Sequence, residues 1–105
     1  MELMKISEHG RIDRVERITR IITELGIGEI VLTIEHQEMK RLECLTSTGV
    51  ILIKSSTDNV VITAYVASID RVIAMYKSQG YTSIPTALRN KVRKNKPFQQ
   101  SLRGM

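Results

Sequence analysis

Two histidines sit in similar local settings, Glu8-His9-Gly10 and Glu35-His36-Gln37. Imidazole is the side chain most readily used as an acid or base near neutral pH, and element ends are where it can reach a ligand. Cleavage of RNA without metal needs a base for the ribose 2′-hydroxyl, an acid for the leaving oxygen, and positive charge around the phosphate. His36, with Glu35 as an alternative base, and Arg41, Lys54 and Tyr65 supply side chains of those types. They form the candidate catalytic set, although a histidine at an element end serves equally as an exposed polar or capping residue.

Other chemistries find less support. The single cysteine, Cys44, lies within a strand pattern, where it reads as a small buried apolar residue rather than a nucleophile. His9, His36, Glu8, Glu35, Glu38 and Glu43 show no recognised metal-ligand spacing. Gly26-Ile27-Gly28 joins a helix to a strand, the reverse of a phosphate-binding loop, so no nucleotide cofactor is expected and the cofactor expectation is none.

A second group of residues suits binding rather than catalysis. Residues 1–70 carry eight cations against eleven acids, a net charge of −3, whereas no acid follows Asp70 and eight cations do. Five of these fall close together: Arg89, Lys91, Arg93, Lys94 and Lys96. Such a cluster neutralises phosphates and releases their counterions, so nucleic acid is the expected contact, with an acidic protein surface and a solvated basic tail as the alternatives. Tyr65, Tyr76, Tyr81 and Phe98 are the only aromatics, which favours contacts to the nucleic-acid backbone over stacking on bases. Arg11, Arg14, Arg17 and Arg20 recur every three residues and sweep about half a helix circumference, so they form no straight cationic stripe.

The elements that must position these groups follow from periodicity. Leu3 to Ile6 suggests a short edge strand. Ile12, Val15, Ile18, Ile22 and Leu25 gather on one side of a helix over about 11–25, with Asp13 and Arg17, and Glu16 and Arg20, as i,i+4 pairs outside. Gly26 ends that helix, and Ile27 is placed to fold back on it. The period then becomes two over Glu29–Glu35. Arg41–Thr46 and Val50–Lys54 form a hairpin through Ser47, Thr48 and Gly49, and Val60–Val66, apolar on both faces, is a covered strand. Ser68 caps a second helix to about residue 79, with Ile69, Val72, Ile73 and Tyr76 as its stripe and Gly80 as its stop. Ser83 and Pro85 open a third, docked by Leu88 and Val92 and ended by Pro97, leaving 98–105 as a polar tail.

These elements predict an α+β fold: a four-stranded antiparallel meander with two packed helices and a basic C-terminal helix. The chain of 105 residues reads as one domain, with residues 1–82 as its core and 83–105 as basic helix and tail. One unpaired cysteine and the absence of a signal-like start or an 18-residue apolar run place the expectation in the cytoplasm, away from membranes.

The order of a helix, a meander ending in Val60-Val61-Ile62-Thr63-Ala64-Tyr65 and a basic C-terminal segment resembles the small ribonuclease toxins of the RelE and barnase-like superfamily. The resemblance covers about residues 29–66 and the overall arrangement. It implies metal-independent RNA cleavage by basic residues with an aromatic or histidine on the sheet, which by position are Arg41, Lys54 and Tyr65. The family often carries an additional early helix and a more basic sheet.

Two functions follow as expectations. The first is a small basic RNA-binding protein, in its sharper form a toxin-type endoribonuclease. The second is a phage- or mobile-element-type inhibitor or adaptor that offers Glu35, Glu38 and Glu43 to a host nucleic-acid-processing protein. An open strand edge also allows a homodimer.

Overall fold

The computed structural model describes residues 5–6 and 12–102. His9, Glu8, Arg11 and Arg103 lie outside them. In chain order the elements are β1 (Lys5–Ile6), α1 (Ile12–Leu25), β2 (Ile30–His36), β3 (Arg41–Thr46), β4 (Val50–Ser55), β5 (Val60–Val66), α2 (Ile69–Ser78), α3 (Thr86–Lys94) and α4 (Lys96–Leu102). The expected meander is present as antiparallel β2, β3, β4 and β5, and β1 adds a short parallel pairing on β5 at Val60 and Val61. The sheet order is therefore β1-β5-β4-β3-β2, with β2 at one edge.

Strand alternation gives the sheet two apolar faces, and each is covered. On one face Cys44, Val50, Leu52, Ala64 and Val66 pack with Ile18 and Ile21 of α1 and Leu102 of α4. On the other, Leu45 and Ile51 pack with Val72, Met75 and Tyr76 of α2 and with Leu88 and Val92 of α3. The two amphipathic helices thus lie on opposite sides of the sheet, and the fold has three layers. That arrangement explains why β5 is apolar on both faces.

Two local expectations change. In α1 the buried edge is turned toward Ile21, which is fully buried, while Val15 is exposed. Pro97 does not end a helix ahead of a polar tail. Asn95 caps the C-terminus of α3, and Pro97 occupies the second position of α4, where its missing N–H has no intrahelical acceptor to lose. Phe98 and Leu102 then pack on the α1 face, with the Arg20 guanidinium 5.7 Å from the Phe98 ring centre.

The α3–α4 junction is fastened to the β3–β4 hairpin. The buried Asn95 side chain donates from Nδ2 to the Thr48 carbonyl at 2.8 Å. Gly49 has φ +83°, and a Cβ there would stand 2.8 Å from Asn95 Nδ2 and 3.2 Å from Val92 Cγ2. Glycine at this turn therefore serves both the left-handed backbone and the close seating of α3.

Candidate functional site

Glu43 is the unusual residue in β3. Its neighbours Leu42, Cys44 and Leu45 are apolar, and the carboxylate is 2% exposed between the sheet and α2. A buried charge is tolerable only when paired and hydrogen-bonded, and here four donors meet it. Arg71 in the first turn of α2 reaches down with Nε to Oε2 at 2.9 Å and with Nη2 to Oε1, a bidentate fork. His36 Nε2 lies 3.0 Å from Oε1, and the Tyr65 hydroxyl donates to Oε2 at 3.0 Å.

Local structure explains the convergence. Register sets Glu43 opposite Ile34 of β2 and Ile53 of β4, so His36, two residues along β2, is its diagonal neighbour on the same face. Tyr65, opposite Ile51 of β4, shares that face one strand further on. Ser68 caps α2 by accepting the Arg71 N–H at 3.1 Å, which fixes the first turn over the cluster.

The electrostatics define each role. Burial alone would raise the Glu43 pKa, but hydrogen bonds from Arg71, His36 and Tyr65 and the Arg71 charge outweigh it and hold the carboxyl below its usual range. An ionised carboxylate only accepts, so the proton between it and His36 belongs to Nε2 in the neutral imidazole, leaving the Nδ1 lone pair as the basic atom. The His36 side chain is 41% exposed, within reach of solvent. Tyr65 is pushed above the ordinary phenol value by burial and then by the Glu43 charge and hydrogen bond, which keeps it neutral. The Arg71 pKa is raised chiefly by its hydrogen bond to Glu43. With all four acceptor positions of Glu43 taken, the carboxylate orients its neighbours and is not itself a base.

The predicted catalytic residues divide across the sheet. His36 and Tyr65 come together on Glu43. Arg41 pairs with His36 in the ladder and, two residues before Glu43, shares its face. Lys54 stands opposite Leu42, which packs on the α1 face, so it is separated from the cluster by the sheet. Glu35 alternates with His36 and points to that far side. The second cation at the cluster is Arg71, which pairs with Glu43. Glu43 and Arg71 were missed as a pair; the available signal was a carboxylate inside the otherwise apolar run of residues 42–45. Burial of Glu43 also removes it from the acidic surface expected of an adaptor.

Comparison with protein-family models, curated proteins and solved structures finds no match to this chain. The site must therefore be read from its own chemistry. Among the described residues, no group of three or more His, Cys, Asp or Glu side chains could hold a metal ion. Cys44 is buried, with the Thr33 hydroxyl 4.0 Å from its sulfur. Among those residues, too, no helix is long and apolar enough to cross a membrane.

The predicted binding residues form a second region. Leu88 and Val92 bury one side of α3, while Arg93 and Lys94 are exposed and Arg89 and Lys91 partly so. Lys96 is also exposed, but it belongs to the first turn of α4 rather than to α3.

Proposed function

We propose that this protein binds RNA through its basic second half. The observation that carries the reading is α3, a helix anchored by two buried apolar residues that presents Arg89, Lys91, Arg93 and Lys94 in a stretch of chain without acids. Arg71 is committed to Glu43, so the cationic surface resides in α3 and the residues beside it. Captured from lysate, the protein is expected to bring down RNA, with any accompanying proteins lost after nuclease treatment. A stoichiometric protein partner that survives nuclease, with no RNA recovered, would favour the host-protein inhibitor or adaptor instead.

The Glu43 cluster favours a sharper form of the same function, metal-independent endoribonuclease activity of the toxin type that the family resemblance implies. In this reading, His36 Nδ1 takes the 2′-hydroxyl proton, the freed oxygen attacks phosphorus, and the P–O5′ bond breaks. The 5′-oxygen takes a proton from solvent, and a 2′,3′-cyclic phosphate is left. Arg41 is the catalytic cation, Glu43 fixes the imidazole tautomer, and Tyr65 and Arg71 position Glu43. Cleavage of labelled RNA in EDTA is expected from the wild type and to fall by about 100-fold or more in His36→Ala, the lower end of what a general base contributes. Undiminished cleavage by that variant would remove His36 from the mechanism.

A further inference from the structure

A recess of about 210 Å³ lies between the end of α2 and the start of α3. Its walls carry Lys77, Arg89, Tyr81, Thr82 and Ser83, with Ile73 among its apolar residues. Sequence composition alone argued against base stacking, because aromatics are few; the fold places one of those few at a cationic site.

Tyr81 is held there by backbone geometry. The helix α2 ends in a Schellman motif: the Gly80 N–H donates to the Lys77 carbonyl and the Tyr81 N–H to the Tyr76 carbonyl, each at 3.0 Å. Gly80 has φ +88°, the left-handed conformation that this motif demands. The turn sets the Tyr81 ring edge-on to Tyr76, with centroids 5.5 Å apart and planes at 62°. Tyr76 is 7% exposed and anchored in the core, whereas Tyr81 is 55% exposed. The contact with Tyr76 is the apolar contact that accompanies such a turn, and the Tyr81 ring still keeps much of its rigid surface in solvent.

The polar groups around the ring suit a phosphate. Lys77 and Arg89 come from two different helices and converge on the same recess, and neither forms an ion pair among the described residues. The hydroxyls of Thr82 and Ser83 add neutral donors. The volume lies below the roughly 300 to 1,000 Å³ of sites for drug-sized ligands, so it suits one small unit. Aromatic platforms beside cations are how single-stranded nucleic acids are held, because every base offers a π-face.

We propose that this recess binds one unpaired nucleotide of single-stranded RNA, with its base against Tyr81 and its phosphate between Lys77 and Arg89. The inference rests on the RNA-binding reading and adds a preference for single strands. The test uses a fluorescein-labelled ten-nucleotide oligoadenylate and a blunt RNA duplex of equal length. Wild type and Tyr81→Phe are expected to bind the single strand alike. Tyr81→Leu, which keeps an apolar contact but no ring, is expected to bind it about tenfold more weakly while binding the duplex unchanged, the loss of one stacking contact. Thermal melting of Tyr81→Leu close to wild type shows that the loss is local. Lys77→Gln, at an exposed position, reads the phosphate contact independently and is also expected to weaken single-strand binding. Unchanged oligoadenylate binding in folded Tyr81→Leu and in Lys77→Gln overturns the nucleotide site while leaving RNA binding by α3 intact. Failure of the wild type to bind either RNA overturns both.

Discussion

Arg71→Met is expected to cost the fold about 3 kcal/mol at pH 7, because it leaves a buried carboxylate without its charge partner. On a chain of this size that is a fall in melting temperature on the order of 15 °C. In the wild type the Glu43 pKa is lowered on folding, so its contribution is present above the unfolded value and is lost as pH falls through the folded one. Removing Arg71 takes away the largest of the effects that oppose burial, so the Glu43 pKa in the variant is expected to rise from its wild-type position. Chemical denaturation between pH 3 and pH 7 should show the deficit of Arg71→Met shrinking as the medium becomes more acid. A deficit that is constant with pH, or smaller than about 1 kcal/mol, the net worth of one ordinary hydrogen bond, would mean that the pair contributes little.

Replacing Arg89, Lys91, Arg93 and Lys94 together by Gln is the second large effect. For single-stranded nucleic acid, each phosphate neutralised contributes about 0.7 to the slope of log affinity against log salt. If the four contacts vanish in effect near 1 M salt, their removal weakens RNA binding roughly 100-fold at 0.2 M. All four side chains are partly or fully exposed, so the variant is expected to keep the wild-type melting temperature to within a few degrees. Equal affinity in both proteins would place the contact elsewhere. A fluorescence anisotropy titration with labelled RNA makes the comparison.

Much of the fold was legible because it is written in period. The 3.6-residue repeat of α1, the alternation of β2 and the Ser47-Thr48-Gly49 turn each have one local solution. What periodicity does not encode is which helix covers which face. The stripes of α1 and α2 each ask only for an apolar sheet face, and they pack on opposite sides of the sheet. Proline misled for a related reason. Pro97 is incompatible with a helix interior but suited to a first turn, and only the packing of Phe98 and Leu102 on α1 decides between stopping and restarting.

The site was legible to the same depth. His36 and Tyr65 were identified from residue type and position at or near strand ends, and both are in the cluster. Lys54 was chosen by residue type and by its position in the hairpin, although one step of strand alternation carries it to the other face. Arg71 read as an ordinary cation of an amphipathic helix, because its partner lies 28 residues earlier in the chain. Tyr81 was discounted as one of too few aromatics; its exposure depends on how the Schellman turn presents it.

The most direct test of the central proposal is the affinity of the unmodified protein for single-stranded RNA across a salt series from roughly 50 to 200 mM, where contacts to phosphate leave their signature. The expected result is a straight line of log affinity against log salt with a slope of about −3, the value for four phosphate contacts on a single strand. An affinity that does not change with salt, or no binding at the lowest salt, would contradict the assignment of α3 as an RNA-binding surface.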